Sequence, residues 1–250
     1  MAVVDALVAL RLLTLLGWIV LVIGLSYAVA TRGQDMEGGQ RTAWLILVGM
    51  HGVIASTTLL VELASLVVAV APRSHLATLV LEIYNPAYLL NATVAASVPF
   101  LILAALLGKP RGRRSAAAAG AVVIGLAAAM AISGVTDEWS TLMLASQVLS
   151  FVAIAGYLTL WAVVLLSELP GADGYLLGLL AVVTAFHVLQ PIQAEFFEFV
   201  GFRDVDGVWH LHQFLQLTHA LAEIAIVVAF LRRSRSHRVS ARSRVSAGVE

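Results

Sequence analysis

The chain has 250 residues, 60% of them hydrophobic and only 12% charged, whereas an ordinary soluble domain is roughly a quarter charged. Its basic and acidic residues balance, which gives no reason to expect a nucleic-acid partner. There is no cysteine and a single lysine, Lys109, so disulfides, thiolate metal sites, cysteine nucleophiles and any intramembrane lysine chemistry are excluded.

Apolar stretches run over about 6–30, 43–71, 86–108, 115–135, 141–167, 174–200 and 207–232, each near the roughly 20 residues that cross hydrocarbon. Lipid offers backbone groups no partners, so each is expected to be helical. The fold class expected is therefore all-α, a polytopic transmembrane bundle of seven helices over 1–232, followed by a basic tail over 233–250 that composition marks as disordered.

The first span ends in Ala28-Val29-Ala30, which has the pattern of a signal-peptidase site. Cleavage there would invert every later segment and put the Lys109 to Arg114 cluster outside, and the preceding region is not positively biased, since Asp5 opposes Arg11. Retention of the span is the expectation. The second span carries His51, Thr58, Glu62 and Ser65 at spacings of 7, 4 and 3, one helical face. The segment from Arg73 to Asn85, ending at Pro86, reads as an interfacial stretch before the third span, which contributes Asn91. The alanine-rich fourth span, Ala116 to Ala129 with Gly120 and Gly125, reads as packing surface. Gln147 on the fifth is a plausible neighbour of a polar interior.

The sixth span places His187, Gln190 and Glu198 on one side, with Glu195 rotated away and Pro191 placed to kink the helix. In the seventh, His212, Gln216, His219 and Glu223 recur at 4, 3 and 4, a narrow stripe and the sharpest feature of the chain. His75 and His210 fall at interfaces, and His237 belongs to the tail.

Charge sets the orientation. With the N-terminus outside, cytoplasmic segments collect Arg32, Arg41, Lys109, Arg111, Arg113, Arg114 and the tail arginines, while external loops hold only Arg73 and Arg203. Trp139 and Trp209 then fall at outer helix ends and Trp44 and Trp161 at inner ends, as in an aromatic belt. The plasma (inner) membrane is the expected location, with anionic lipid headgroups as a partner for the basic tail.

Ionisable groups inside hydrocarbon are expensive and are functional by default. The proton- or ligand-binding set expected is Glu62, His187, His212, Gln216, His219 and Glu223, with His51, Thr58, Gln190, Glu198 and Asn91 as secondary candidates. One reading is a proton, ion or small-ligand site or conduit running along the His/Glu column. A second is a zinc, iron or haem site for hydrolytic or redox chemistry, drawing on His187, His212 and His219. No HExxH motif specifies such a site. A third is polar glue, in which the same side chains only hydrogen-bond between helices of a structural or interaction subunit.

Seven spans, an external N-terminus and this length resemble microbial rhodopsins in outline, a likeness of architecture alone. Those proteins bind retinal through a lysine in the last helix, which here has none, so a covalent retinal Schiff base is excluded. Membrane hydrolases of the ceramidase and progestin-receptor type use serine, aspartate and three histidines around zinc, with HxxxH on the final helix. Here His212 is followed by Gln216 at that spacing, and neither the second nor the third span carries an aspartate. The likeness is confined to scattered positions.

Overall fold

The protein is described by a computed structural model that covers the main chain of residues 2–70, 75–167, 169, 172–199 and 205–246, with side chains over 8–63, 82–138, 140–167, 169, 172–189 and 211–233. Among the described residues seven long helices make up the fold: α1 Ala2–Arg32, α2 Gly38–Val70, α3 His75–Leu106, α4 Pro110–Ile132, α5 Trp139–Leu166, α6 Gly174–Phe199 and α7 Val205–Ser246. A 3-10 turn over Val135–Asp137 joins α4 to α5, and no strand occurs among the described residues. Gly134 enters that turn at φ 82, a left-handed conformation that favours glycine.

Six helices contain described stretches long and apolar enough to cross a membrane: Val8–Arg32, Gly38–Leu63, Glu82–Leu106, Pro110–Ile132, Ser140–Leu166 and Leu211–Arg233. In α6 the described apolar stretch is Gly174–Leu189, within a helix that continues to Phe199. The protein is an α-helical membrane bundle. Its outward faces carry large apolar side chains such as Leu12, Leu16, Ile23, Val122, Leu144 and Leu158, as surfaces against lipid must.

Two boundaries differ from the sequence reading. Pro86 does not end an interfacial segment, because α3 runs unbroken from His75 through Pro86 and Pro99. A proline removes one backbone donor, a loss that a helix within a membrane bundle tolerates when its neighbours support it. Just before Pro86, the Asn85 side-chain amide donates to the Thr136 carbonyl at 2.8 Å, fastening this part of α3 to the 3-10 turn. At the other end, the α7 backbone remains helical past Arg232 to Ser246, where composition alone suggests a disordered tail.

Neighbouring helices close a ring in the order α1, α2, α3, α5, α6, α7 and back to α1, and α4 packs on α3. Small residues set the closest approaches. A Cβ at Gly17 would lie 3.3 Å from Ala220 Cβ, and one at Gly24 would lie 3.4 Å from Val227 Cγ1. These glycines are seven residues apart, so they fall on one stripe of α1 and let α7 lie against it, running parallel. On α4 the buried residues Ala116, Gly120, Val123 and Ala127 form one face, as expected of a packing helix.

Candidate metal centre

The interior of the ring is mostly apolar, and three of its ionisable groups meet at one place. His51 from α2 and His219 and Glu223 from α7 are buried, and one ligand atom from each lies within 4.8 Å of the others. The four-residue spacing of His219 and Glu223 stacks them one turn apart on one face of α7. Facing helix α2 supplies the third group.

His51 Nδ1 lies 2.7 Å from the carbonyl oxygen of Leu47, one turn earlier on α2. A carbonyl only accepts, so Nδ1 carries the hydrogen and Nε2 of the neutral ring presents a lone pair. That Nε2 lies 2.7 Å from Glu223 Oε2, a contact off the direction of a hydrogen bond. The other carboxylate oxygen, Oε1, lies 3.1 Å from His219 Nε2, which donates to it. His219 Nδ1 is buried with no hydrogen-bond partner. A nitrogen lone pair and a carboxylate oxygen held this close in a dry interior repel unless a cation, whether a proton or a metal ion, lies between them.

Aromatic side chains wall this centre. The Trp18 ring on α1 meets His51 at 5.7 Å between centroids and His219 edge-on at 5.2 Å. Phe186 on α6 stacks on His219 at 4.5 Å. Trp18 is 1% exposed and its indole nitrogen has no hydrogen-bond partner. The Tyr157 hydroxyl on α5 reaches Met50 Sδ at 4.0 Å, next to His51 in the chain.

The remaining expected site residues are distributed elsewhere. His187 stacks on Tyr157 at 5.3 Å and lies within electrostatic reach of all three members of the centre. It is not one of the converging ligands. His212 Nε2 is 2.8 Å from Gln216 Nε2, so this half-buried pair satisfies itself along α7. Glu62 is taken by Arg11, whose Nε donates to Oε1 at 2.7 Å between α1 and α2. Thr58 is half-buried two turns from His51, Asn91 is half-buried on α3, and Gln147 is exposed on the outer surface of the bundle. The side chains of Ser65, His75, Trp139, Gln190, Glu195, Glu198, Trp209, His210 and His237 lie outside the described residues. Trp44, expected at a lipid interface, is instead fully buried against Phe230 at 4.8 Å.

The metal set expected from sequence, His187, His212 and His219, is thus not the set that converges. His51 replaces the first two, and Glu223 supplies the carboxylate. Sequence reasoning missed two participants, Trp18 and Arg11. The second left a signal: an arginine inside an apolar span needs a partner.

No family model matches the chain, and no curated protein or solved structure matches it either.

Proposed function

We propose that the protein is a multi-pass membrane protein that holds one divalent transition-metal ion, zinc or iron, at His51, His219 and Glu223. Two imidazoles and a carboxylate are a donor set that both ions accept. The observation that carries the reading is His51: its Nδ1 is spent on Leu47, and its bare Nε2 is turned toward a carboxylate in a site with no water-facing side. Such a backbone hydrogen bond fixes the tautomer and orients the ring for ligation through the other nitrogen.

Ligand atoms on one tetrahedral zinc ion stand about 3.3 Å apart, so the 2.7 Å contact of His51 Nε2 with Oε2 would open by about 0.6 Å, and the ion would displace the proton through which His219 Nε2 bonds Oε1 at 3.1 Å. Three protein ligands leave a position for water or a substrate, as catalytic and transfer sites do and closed structural sites do not. Hydrolytic or redox chemistry follows from that position as the alternative to ion transfer. The positive-inside bias supports an orientation with the N-terminal end outside, and the plasma membrane is the location this reading takes.

The test is elemental analysis of protein purified in detergent after loading with zinc or iron(II). Stoichiometric metal is expected, lost on His51→Ala, His219→Ala or Glu223→Gln and kept on His187→Ala and His212→Ala. Metal-free wild-type protein under these conditions would sink the reading and leave a shared proton as the cation between Nε2 and Oε2.

A further inference from the structure

The two directions out of the centre along the helix axes differ in chemistry. Toward the N-terminal end of the bundle, polar groups continue turn by turn. Gln216 and His212 lie one and two turns before His219 on α7. Thr14 on α1 bonds the Gln213 carbonyl at 3.3 Å, and the Gln213 side-chain oxygen is buried without a hydrogen-bond partner. Beyond them lies the Arg11–Glu62 pair, with side chains 24% and 17% exposed, roughly 10 Å from the level of Trp18 by helical rise.

Toward the C-terminal end the buried residues next to the centre are apolar, and the polar-walled cavity at that end of α1 and α2, with Ser26, Gln34 and Arg41 on its lining, reaches no further than Val48. Leu21, Leu25, Leu47, Leu180 and Val227 are buried. Beneath them Phe230 packs against Trp44 at 4.8 Å and against Tyr175 at 5.4 Å. Of the polar groups of this half, the Trp161 indole donates to Thr184, whose hydroxyl donates to the Leu180 carbonyl, while the buried Trp44 indole has no hydrogen-bond partner and is a donor only, with no lone pair for a cation.

We infer that the centre is reached from the N-terminal end alone, and that the Arg11–Glu62 ion pair is the closure a small hydrated divalent cation must pass. The inference rests on the metal reading of His51, His219 and Glu223. A hydrated cation sheds water stepwise only where oxygen and nitrogen groups replace it, and the Thr14, Gln213, Gln216 and His212 side offers such groups. The aromatic and leucine layer offers none. This mostly shielded ion pair is the part of such a path that lies nearest the end of the bundle, where its partners can exchange each other for water when it opens. The bundle is then a blind-ended binding chamber rather than a through-going conduit.

The absence of native cysteine makes access directly measurable. Thr14→Cys and Gln216→Cys on one side, and Leu47→Cys and Val227→Cys on the other, are treated in detergent-purified protein with a small, polar, uncharged thiol reagent, whose entry is indifferent to the charge left on Arg11 when Glu62 is neutralised. The first two should react roughly tenfold faster than the second two, and adding Glu62→Gln should speed the first two several-fold without moving the others. Equal rates at both ends, or faster reaction at Leu47→Cys and Val227→Cys, would overturn one-sided access. Unaltered rates at Thr14→Cys and Gln216→Cys with Glu62→Gln would overturn the closure.

Should any cysteine variant fail to elute as a folded protein, a second readout stands without it. The rate at which a chelator strips cobalt from otherwise wild-type protein should rise with Glu62→Gln and stay constant with Trp44→Phe; the reverse pattern refutes the assignment. Thiol reaction is read with no metal present, so failure of the metal reading leaves that pattern intact, and failure of the pattern leaves stoichiometric metal binding intact.

Discussion

His51 Nε2 and Glu223 Oε2 stand 2.7 Å apart across the meeting of α2 and α7, while the opposite nitrogen of the same imidazole is held at 2.7 Å by the Leu47 carbonyl. The ring is fixed from behind by its own helix and aimed at a carboxylate on another. Rotating it would break the backbone bond, so the separation is set by helix packing rather than by side-chain choice. This dependence makes helix spacing and site chemistry a single property.

Packing between α1 and α7 is the first place to test that link. Gly17→Leu puts a branched side chain where even a Cβ would be 3.3 Å from Ala220. Overpacking of this kind costs about 1–3 kcal/mol. The thermal midpoint in detergent should fall, and metal affinity should fall with it, because Trp18 and His219 lie next along the same interface. Gly125→Leu, at a position with open space around it, should leave both unchanged. Equal effects of the two substitutions would refute the coupling.

Trp18 gives an optical report of the centre. Its ring lies against both His51 and His219, so a bound paramagnetic ion such as cobalt(II) should quench its fluorescence at short range. Titration should lower the intrinsic emission of the wild type, and Trp18→Phe should remove most of the change while the other tryptophans remain. Trp18→Ala, by contrast, should cost about 3–5 kcal/mol of stability through the cavity it leaves. Quenching that persists in Trp18→Phe would place the ion elsewhere.

The stripe on α7 and the helical character of every span were legible in the sequence, because both are periodicities along one helix. What one sequence does not contain is which faces meet. His187 and His219 both lie on polar stripes of their helices, yet it is His51 and Glu223, and not His187, that come within 4.8 Å of His219, while His187 stacks on Tyr157. His51 looked secondary because its own helix shows it beside Glu62, and Glu62 is drawn away by Arg11. Arg11 itself was legible as a charge near the N-terminus, but its role depends on the α1–α2 pairing. Trp18 carries no sequence signal that separates it from other apolar positions of α1.

Orientation is testable apart from chemistry. A cytoplasm-active reporter fused after Glu250 should be active, and one fused ahead of Met1 should be active only if it functions outside, the orientation that the clustering of arginines predicts. The opposite result would place the Arg11–Glu62 end in the cytoplasm and reverse the side from which the chamber opens.

The Arg11–Glu62 pair also has a thermodynamic signature. Both side chains are largely shielded, and removing one partner leaves the other charge in a poorly solvated place, which costs more than the pair contributes. Glu62→Gln or Arg11→Gln alone should therefore lower stability by about 1–3 kcal/mol, and the double substitution should cost clearly less than the two single losses added. The coupling free energy from the four proteins, read from thermal or denaturant unfolding in detergent, should be favourable by about 1 kcal/mol or more. Additive losses would mean that the two groups do not depend on each other, and the ion pair could not then act as the element that holds this end of the bundle shut.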